Sequence, residues 1–517
     1  MYLKEYFPNI EKKYQNYFFF NISFDSSKIK KNFIFFAIKG NNYDGNKFIK
    51  DAIKKGAKII VHQKKFSGIY NDILFISTKN IRKLLAETAY KINNLKPKNL
   101  VSVTGTNGKS SIADFYFQLL KIHKKKVASI GTLGIKTNTT FKSLPNTTID
   151  PIKLSKIFKY LKKQKIESVI LEASSHGLKQ NRLDGLKFDI GIFTNLSHDH
   201  LDYHKTFKDY LNSKLYLFKN LLKKKANLIT DENIEQFKRI KNIANKRGLK
   251  LNFISSGNVN SGLRIIDHEF RDEKQIVKLC YGKNEFNFEI NLIGKIQLKN
   301  VLMALIAAEK SGIKFSKLIK NLDKLKPING RLEKIGQIKN NSKVILDYAH
   351  TPDALKYTLE SIKEQFNQSS ISIVFGCGGN RDRDKRPIMG KIANQYCDKI
   401  FLTDDNPRYE NPKKIRNQIK KKIARSKLFE IGSRKKAIKV AIENLKSGDI
   451  LLVAGKGHEI YQEYRGKKKI FSDKKNILKE INLKNNKLFK NWKANILNEK
   501  CNLSLINKNL KINKASI

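Results

Sequence analysis

Short apolar runs alternate with longer amphipathic stretches over about residues 99–330. The runs LVSV (100–103), SVILEA (168–173) and FDIGIFTN (188–195) lack a regular apolar–polar alternation. Such runs are typical of parallel strands that are buried on both faces. Together with the helical periodicity between them, they predict an α/β domain with a parallel sheet.

The first part of the chain predicts a small α/β unit of its own. Within residues 1–88, KNFIFFAIKG (31–40) predicts a strand, and residues 45–63 predict a helix, a stop at Gly56 and a further strand. A polar linker with one proline follows at residues 91–100.

A Pro/Gly-containing stretch, KLKPINGRLE (324–333), interrupts the alternation near residue 330. The alternation of strands and helices then resumes and predicts another α/β domain. The last residues are rich in Lys and Asn and carry no strong motif. We therefore predict three domains and a tail, at residues 1–88, 89–330, 331–485 and 486–517.

The formal net charge of +58 suggests a nucleic-acid-binding protein at first sight. However, the Lys residues are spread along the whole chain, and Asn, Ile and Phe are also plentiful. Because the codons of all four residues are rich in A and T, we attribute the charge to genome composition and expect no nucleic-acid partner. A basic nucleic-acid-binding ATPase is the alternative from another class, and a salt titration of binding separates the two.

Cysteine usage and hydropathy favour a cytosolic enzyme. The four cysteines (Cys280, Cys377, Cys397 and Cys501) form no CxxC pair, which argues against a disulfide framework and a zinc site. No window holds 18 consecutive apolar residues, and the start MYLKEYFPNIEKKY lacks the apolar core of a signal peptide. We expect a cytosolic monomer without a membrane span.

Polar or Gly-rich bursts follow at least six of the predicted strands. They read GTNGKS, EASSHG, TNLSHDH, DYAHTPD, GCGGNRDRD and DDNPR. In open parallel sheets, ligands bind at the carboxyl ends of the strands. The bursts therefore predict two α/β domains whose reactive edges face a cleft.

The burst in VSVTGTNGKSS (101–111) resembles a phosphate-binding loop, although Val103 stands where a Walker A motif has its first glycine. It lies between a predicted strand and a predicted helix, which would direct backbone N–H groups and a helix N-terminus at phosphate oxygens. Gly105 and Gly108 permit close approach, Lys109 can pair with the β- and γ-phosphates, and Ser110 can bind Mg²⁺.

Two further bursts offer metal ligands. Glu172 ends the run SVILEA, and its carboxylate is a hard oxygen donor of the kind that Mg²⁺ prefers. NLSHDHLDYH (195–204) contains three histidines. Since no CxxC pair or HExxH motif accompanies them, we favour a second Mg²⁺ site with one histidine over zinc.

Lys214 lies on a predicted apolar helix stripe. The other members of the stripe are Phe207, Tyr210, Leu211, Leu215 and Phe218. A lysine that extends its amine to solvent is the simpler interpretation. Burial, in contrast, would lower the pKa of the amine, and the neutral amine could then capture CO₂ as a carbamate that binds metal.

In this order, the bursts together with GRLE and GKGHE resemble the motifs of the Mur ligases over about residues 20–480. Within this family they are most similar to the UDP-N-acetylmuramoyl-tripeptide synthetases. The resemblance implies a small N-terminal α/β domain for the uridine nucleotide, a central P-loop-type ATPase domain with a parallel sheet, and a Rossmann-like C-terminal domain. It also accounts for Val103, because the phosphate loop of this family does not need the first Walker glycine.

The reaction implied by the resemblance joins an amino acid to a UDP-MurNAc peptide with ATP and Mg²⁺. A carboxylate of the UDP-MurNAc dipeptide attacks the γ-phosphate of ATP, and the incoming amine then displaces phosphate from the acyl phosphate. Charge neutralisation by Lys109 and Mg²⁺ suits such a transfer.

The resemblance carries four sets of site residues onto this chain. The ATP set is Thr104, Gly105, Thr106, Asn107, Gly108, Lys109, Ser110, Asn300, Arg331 and Asp347. The metal set is Ser110, Glu172, His200 and carbamylated Lys214, which together with Lys109 are also the catalytic candidates. The UDP-substrate set is Phe24, Ser26, Asn41, Asn42, Tyr43, Asn146, Thr147, Thr148, Ser174, Gln180 and Arg182. The amino-acid set is Arg381, Asp405, Asn406, Pro407, Arg408, Gly455 and Glu459.

This sequence departs from the family pattern at three places. The usual D-S-R reads Asp25–Ser27 here and lacks its basic residue. The usual F-N-x-x-N reads IQLKN (296–300), and the commoner N-T-T-P-D reads NTTID (146–150). The first change removes one basic contact, and the second alters the residues that contact the nucleotide base in the family.

Arg408 favours meso-diaminopimelate over L-lysine as the added amino acid. Diaminopimelate carries an extra carboxylate, which a guanidinium can bind through two hydrogen bonds, while Glu459 can hold the distal ammonium. One alternative is a lysine-adding ligase of the same family. Another is a folylpolyglutamate synthase or a different Mur ligase, and the motifs NTT, DNPR and GKGHE argue against it.

Overall fold

The computed structural model describes residues 1–40, 43–144, 146–197, 199–257 and 262–490. Its contacts divide the chain into two compact units. The first unit comprises Met1–His268, Val277–Phe288 and Lys299–Leu325, and the second comprises Glu269–Ile276, Glu289–Leu298 and the chain from Lys326 onward. The domain boundaries at residues 88, 330 and 485 stay predictions. Among the described residues, no helix is both long enough and apolar enough to cross a membrane.

The first unit begins with a five-stranded sheet. Its strands are β1 (Asn21–Ser23), β2 (Phe33–Phe36), β3 (Ala57–His62), β4 (Gly68–Tyr70) and β5 (Ile73–Ser77), in the order β1-β2-β3-β5-β4. All neighbours are parallel except β4 and β5. The accompanying helices are α1 (Leu3–Tyr6), α2 (Ile49–Lys54) and α3 (Ile81–Ile92). The segment predicted as one helix at 45–55 is a 3₁₀ turn, Gly45–Phe48, followed by α2.

An eleven-stranded sheet follows. Its strands are β6 (Asn99–Thr104), β7 (Val127–Gly131), β8 (Gly134–Thr137), β9 (Phe141–Lys142), β10 (Ser168–Glu172), β11 (Phe188–Phe193), β12 (Leu222–Asp231), β13 (Lys250–Ser255), β14 (Leu263–Arg271), β15 (Lys274–Tyr281) and β16 (Asn284–Ile290). Their order is β16-β15-β14-β13-β12-β11-β6-β10-β7-β8-β9. The pairs among β6, β7, β10, β11, β12 and β13 are parallel, as the buried apolar runs predicted.

The helices between these strands include two that build the site. They are α4 (Lys109–Ile122), α5 (Pro151–Lys163), α6 (Ser175–Lys179), α7 (Leu201–His204), α8 (Phe207–Tyr216), α9 (Phe237–Arg247), α10 (Lys295–Lys310) and α11 (Phe315–Ile319). Helix α4 follows the phosphate loop, and α8 carries Lys214. A π-helical turn, Leu217–Leu221, continues α8 and brings the buried Phe218 into the core beneath the sheet.

The second unit contains a six-stranded sheet and a hairpin. The strands are β17 (Glu333–Gln337), β18 (Lys343–Asp347), β19 (Ile371–Phe375), β20 (Lys399–Leu402), β21 (Leu428–Glu430) and β22 (Ile450–Ala454), with the hairpin formed by β23 (Tyr461–Tyr464) and β24 (Lys467–Ile470). The sheet order is β17-β18-β22-β19-β20-β21, and only β17 runs antiparallel to its neighbour.

Helices cover the second sheet on both faces. They are α12 (Pro352–Gln365), α13 (Lys385–Tyr396), α14 (Pro412–Lys420) and α15 (Arg434–Glu443), and residues 473–490 are also helical. Two buried apolar clusters, one around Ile373 and one around Val374, lie on opposite faces because neighbouring residues of a strand point to opposite sides. The helix over 473–490 crosses the predicted start of the tail at residue 486.

Candidate active site

The phosphate loop joins β6 to α4 in the first unit, as the strand–loop–helix pattern predicted. Gly108 has φ +86° and precedes Lys109, the first residue of α4. A Cβ atom at Gly108 would lie 2.6 Å from the Asn300 Oδ1 atom, so Asn300 is packed against the loop. The left-handed backbone and this close contact both explain the need for glycine.

Residues just beyond β11 hold the loop in place. Strands β6 and β11 pair with Thr104 opposite Phe193, so Thr194 and Asn195 emerge beside the loop. The Asn107 N–H donates to Asn195 Oδ1 at 2.9 Å, and Thr194 Oγ1 donates to the Asn107 carbonyl at 2.6 Å. Sequence reasoning assigned no role to these two residues, although they belong to the burst TNLSHDH.

Glu172 is buried at the end of β10 and contacts Ser110 of the phosphate loop. Its carboxylate accepts hydrogen bonds from Ser110 Oγ (3.0 Å), the Thr132 N–H (2.9 Å) and Thr132 Oγ1 (3.0 Å). The structure therefore brings together two predicted metal ligands that are 62 positions apart in the sequence. Thr132, which follows β7, was not predicted.

Lys214 is fully buried and also reaches the phosphate loop. Its Nζ donates to the Gly105 carbonyl at 2.7 Å and lies 4.3 Å from the centre of the Tyr210 ring. Burial, together with the positive charge of Lys109, holds the pKa of Lys214 well below its usual range. The environment therefore favours the neutral amine, and the simpler interpretation of an amine that extends to solvent is wrong. Lys109 itself donates to the carbonyls of Gly105 (2.8 Å) and Thr106 (2.6 Å).

A cluster of aromatic rings also contacts Tyr210. The His200 ring centre is 6.2 Å from that of Tyr210 and 4.8 Å from that of His176. His204 is buried beside them, and burial lowers its pKa from 6.5 to about 4. His200 is thus linked to Lys214 through contacts that both make with the Tyr210 ring. The neighbouring His198 lies outside the described residues.

The donor set fits Mg²⁺ at Ser110 and Glu172. Both supply hard oxygen atoms, and they lie within hydrogen-bond distance of each other. Lys214 fits such a site only as a carbamate, since an ammonium would repel a cation and a neutral amine offers nitrogen where Mg²⁺ prefers oxygen. Within the part of the chain that the structure describes, no group of three or more His, Cys, Asp or Glu side chains has the geometry of a metal site.

Most of the predicted UDP-substrate residues line one cavity of about 740 Å³ in the first unit. The predicted residues in its wall are Phe24, Ser26, Tyr43, Asn146, Gln180 and Arg182. Thr147, Thr148 and Ser174 lie in the neighbouring loops, where Thr148 Oγ1 donates to the Glu172 carbonyl (2.8 Å) and accepts from the Ser174 N–H (2.9 Å). Thr147 is joined to Thr132 by a 2.9 Å hydrogen bond between their hydroxyls. Asn41 and Asn42 lie outside the described residues.

Two arginines in this cavity have neutral partners. Arg82, which was not predicted, donates to the Lys39 carbonyl at 2.9 Å. Arg182 donates to the Thr148 carbonyl and to Gln180 Oε1. Burial lowers the pKa of both guanidinium groups, and the charge of Arg82 lowers the pKa of Arg182 further. The two cations therefore form a positive wall suited to an anion.

The carboxylates of the cavity already have cationic partners. The Lys153 Nζ atom lies 3.6 Å from Asp150 Oδ2, and the Lys28 Nζ atom lies 2.8 Å from Asp25 Oδ2. The bonds from Lys28 and Ser27 lower the pKa of Asp25 to about 2. At the departure from D-S-R, a basic side chain is therefore present one position later, at Lys28.

In the second unit, Asp347 ends β18 and organises the turn that follows. Its buried carboxylate accepts from the Leu332 N–H (2.7 Å) and the Ala349 N–H (2.8 Å). Burial raises the pKa of this carboxyl. The Arg331 guanidinium lies 4.4 Å from the centre of the Tyr348 ring. The structure thus places two of the predicted ATP residues, Arg331 and Asp347, side by side.

At the IQLKN departure, Gln297 Nε2 donates to the Arg331 carbonyl at 3.1 Å.

The predicted amino-acid residues other than Arg381 meet at the carboxyl ends of β19, β20 and β22. Asn406 Nδ2 donates to Glu459 Oε2 at 3.0 Å, and Arg408 NH1 donates to the Gly379 carbonyl at 2.8 Å. A Cβ at Gly455, which has φ +111°, would lie 3.6 Å from Asp405 Oδ2. The loop after β20, Asp405–Arg408, therefore contacts both neighbouring loops. Arg381 is exposed on the loop after β19.

Arg408 also has partners within its own unit. It has φ +53°, and its Nε lies 3.6 Å from a Glu463 carboxylate oxygen. Sequence reasoning missed Glu463 and also Lys456, whose buried amine lies between Asp405, Asn406 and Glu459. Lys456 belongs to GKGHE, so the motif was visible, but its burial was not.

Comparisons with known proteins agree with this geometry. Three domains of one family match the sequence: "Mur ligase family, catalytic domain" over residues 19–92, "Mur ligase middle domain" over 103–308, and "Mur ligase, glutamate ligase domain" over 330–457. A protein of Rickettsia montanensis named UDP-N-acetylmuramoyl-L-alanyl-D-glutamate--2,6-diaminopimelate ligase is 40% identical over 470 residues, covering 90% of this chain and 96% of the relative.

Solved structures show the same similarity. One described as UDP-N-acetylmuramoyl-L-alanyl-D-glutamate--2,6-diaminopimelate ligase is 31% identical with a TM-score of 0.69, covering 93% of this chain and 99% of its own. The MurF ligase from Thermotoga maritima, solved in complex with ADP, has a TM-score of 0.61 at 18% identity, covering 90% of this chain and 98% of its own, and shows the shared fold alone. The chain belongs to the Mur ligase family.

Proposed function

We propose that this chain is the ATP-dependent ligase that adds meso-2,6-diaminopimelate to UDP-N-acetylmuramoyl-L-alanyl-D-glutamate, a step in the synthesis of peptidoglycan precursors. The observation that carries the proposal is the 40% identity to a ligase of that name over nine-tenths of the chain. The geometry supports it, because the first unit combines a strand–loop–helix beside Glu172 with a cavity lined by two arginines, and the second unit brings polar side chains together at its strand ends.

ATP is bound in this proposal by the loop from Thr104 to Ser110. The N-terminus of α4 and Lys109 neutralise the phosphates. Asn300, which packs on the loop, contacts the nucleotide, whereas Arg331 and Asp347 of the second unit stay predicted ATP residues.

Mg²⁺ is held by Ser110 and Glu172, with His200 and carbamylated Lys214 as further ligands. When bound, it neutralises the charge that develops on the transferred phosphoryl group. Thr132 orients Glu172 through two hydrogen bonds, so that the carboxylate keeps one position.

The carbamate is formed from the neutral amine of Lys214. The nitrogen lone pair adds to the carbon of CO₂, and the nitrogen releases a proton to solvent. The depressed pKa of Lys214 supports this step, because an ammonium has no lone pair to donate. The product is an anion, so the neutral side chain acquires a negative charge.

The UDP-sugar dipeptide occupies the cavity of the first unit. Phe24 and Tyr43 are exposed aromatic side chains suited to the base, and Arg82 and Arg182 pair with anionic groups of the substrate. Ser26, Asn146, Thr147, Thr148, Ser174 and Gln180 supply polar contacts there. A substrate carboxylate then attacks the γ-phosphate, and ADP leaves.

Diaminopimelate is bound by the loops of the second unit. Arg408 and Arg381 pair with carboxylates of the amino acid, and Glu459 with an ammonium. Asp405, Asn406, Pro407 and Gly455 shape the site. The free amine attacks the acyl carbon, the C–N bond forms, and phosphate leaves as the C–O bond breaks.

A phosphate-release assay tests the proposal. The purified chain is supplied with ATP, Mg²⁺, the UDP-MurNAc dipeptide and one amino acid from a panel that includes meso-diaminopimelate, L-lysine and D-glutamate. We expect phosphate release with diaminopimelate that depends on the dipeptide. Equal or faster release with lysine would contradict the proposed amino acid, and no release with any amino acid would contradict the proposed activity.

A further inference from the structure

Lys456 is a completely buried lysine between the loops of the amino-acid site. Its Nζ donates to Asn406 Oδ1 at 3.0 Å, to Glu459 Oε2 at 3.2 Å and to Asp405 Oδ1 at 3.4 Å. The side chain has no exposed surface. One ammonium group therefore connects the loop after β20 with the loop after β22.

The backbone explains how a lysine can be buried here. Gly455 and Gly457, which flank it, have φ +111° and +50°. A Cβ at Gly457 would lie 2.8 Å from the Tyr348 Cβ and 2.7 Å from the Gly330 carbonyl oxygen. The tight turn between the two glycines directs the Lys456 side chain inward.

The charges around Lys456 do not balance. Two carboxylates, Asp405 and Glu459, contact a single ammonium. Two neighbouring arginines have carboxylate partners of their own: Arg434 Nη2 lies 2.6 Å from an Asp473 carboxylate oxygen, and Arg408 Nε lies 3.6 Å from a Glu463 carboxylate oxygen. Lys456 can therefore neutralise only one of the two carboxylates that contact it.

We propose that Lys456 is a positioning residue that sets both the geometry and the charge of the amino-acid site. It fixes Glu459 and Asn406 in contact with each other, and it neutralises one of the two carboxylates. The remaining negative charge is available to the ammonium of the incoming amino acid. This inference rests on the proposed function, and it adds a residue that does not touch the substrate but acts through Glu459.

The binding energy of the amino acid depends on this arrangement. Without the ammonium, two carboxylates would repel each other in a partly buried site, and Glu459 would move toward solvent. Removal of one member of a buried charge pair commonly weakens binding by about 30-fold or more. The hydrogen bonds of Lys456 go to Asp405, Asn406 and Glu459 and not to any predicted ATP residue or to the cavity of the first unit, so binding of the other substrates should not depend on it.

Steady-state kinetics of the full chain test the inference. Lys456→Met is compared with the wild type and with Lys414→Met, a substitution of an exposed lysine on α14. We expect the KM for diaminopimelate to rise by about 30-fold or more in Lys456→Met, while the KM values for ATP and for the UDP-MurNAc dipeptide stay within about twofold, as is usual for independent sites. Lys414→Met should match the wild type in all three.

A double-mutant cycle with Glu459→Gln separates positioning from a general structural role. If Lys456 acts through Glu459, the double variant should raise the KM for diaminopimelate by much less than the product of the two single effects. Lys456→Arg, which keeps the positive charge, should recover part of the affinity. If Lys456→Met does not fold, Lys456→Gln replaces it in the same cycle.

Two results would overturn the inference. One is an unchanged KM for diaminopimelate, and the other is an equal rise in all three KM values. Since every comparison is made against an active wild type, these results leave the proposed function intact. A wild type without ligase activity would instead contradict the proposed function.

Discussion

The Nζ atom of Lys214 lies 2.7 Å from the carbonyl oxygen of Gly105, although 109 positions separate the two residues in the chain. A buried helix residue thus contacts the phosphate loop directly. Because burial and the charge of Lys109 lower the pKa of Lys214, the contact places a neutral amine where an anionic metal ligand is proposed.

Lys214→Ala should lose most of the ligase activity, since removal of the amine also removes the carbamate. A short carboxylate such as formate, or a high bicarbonate concentration, should restore part of the phosphate release. Lys208→Ala, an exposed lysine on the same helix, is the matched control and should stay active. A fully active Lys214→Ala variant would contradict the carbamate.

Arg82→Met should weaken binding of the UDP-MurNAc dipeptide. The guanidinium lines the cavity and has a neutral carbonyl as its partner, so it can offer its charge to an anion. Loss of one charge-assisted hydrogen bond is worth about 1.5–3 kcal/mol, and we expect a corresponding rise in the KM for the dipeptide but not for ATP.

Lys83→Met is the control for Arg82, because Lys83 is the next residue of α3 and its side chain is 48% exposed. Inhibition constants of two competitive inhibitors, UDP and the MurNAc dipeptide without the nucleotide, identify the anionic group that Arg82 contacts. The inhibitor that carries this group should bind more weakly to Arg82→Met than to the wild type. An unchanged dipeptide KM in Arg82→Met would remove Arg82 from the substrate site.

Arg408→Ala should abolish the preference for diaminopimelate over lysine. A site that pairs a polar group can reject an analogue without it by about 10⁴-fold, and we expect the ratio of kcat/KM values to fall toward one in the variant. Arg408 also contacts the Gly379 carbonyl and Glu463. These contacts suggest an alternative role, in which Arg408 only stabilises its own loop.

The two roles of Arg408 predict different kinetics. A brace would affect both amino acids equally, so an unchanged preference in Arg408→Ala would favour it. Arg425→Ala, an exposed arginine of the same unit, provides the control.

Stability should fall in mild acid through His458. Burial and the charge of Arg331 lower the pKa of this histidine from 6.5 to about 4. The unfolded chain therefore binds a proton at pH values where the folded chain does not. The free energy of unfolding is unaffected by this group above about pH 6.5 and decreases as the pH falls from there toward about 4.

Urea unfolding at several pH values between 4 and 8 measures this effect. His458→Gln should lose stability less steeply than the wild type between pH 6.5 and 5. An identical slope in both proteins would show that His458 does not contribute.

Local patterns were sufficient to predict the parallel sheets and the phosphate loop. The strand–loop–helix over residues 99–122 depends on residues close in sequence, and Gly108 has the positive φ that its position required. Glu172 at the end of β10 and Lys214 on an apolar helix stripe were predicted for the same reason. The spacing of apolar residues along a helix or a strand indicates directly which side chains lie on its buried face.

The contacts between distant segments were decided by tertiary structure alone. The order β11-β6-β10-β7 places Thr194, Ser110, Glu172 and Thr132 at one sheet edge, and no local pattern encodes that order. Arg82 and Lys456 looked like two of many lysines and arginines in a chain with 104 of them. The fold places Arg82 beside Arg182 and buries Lys456 between two carboxylates. The surroundings of a charged side chain, which depend on the tertiary structure, decide what that side chain can bind.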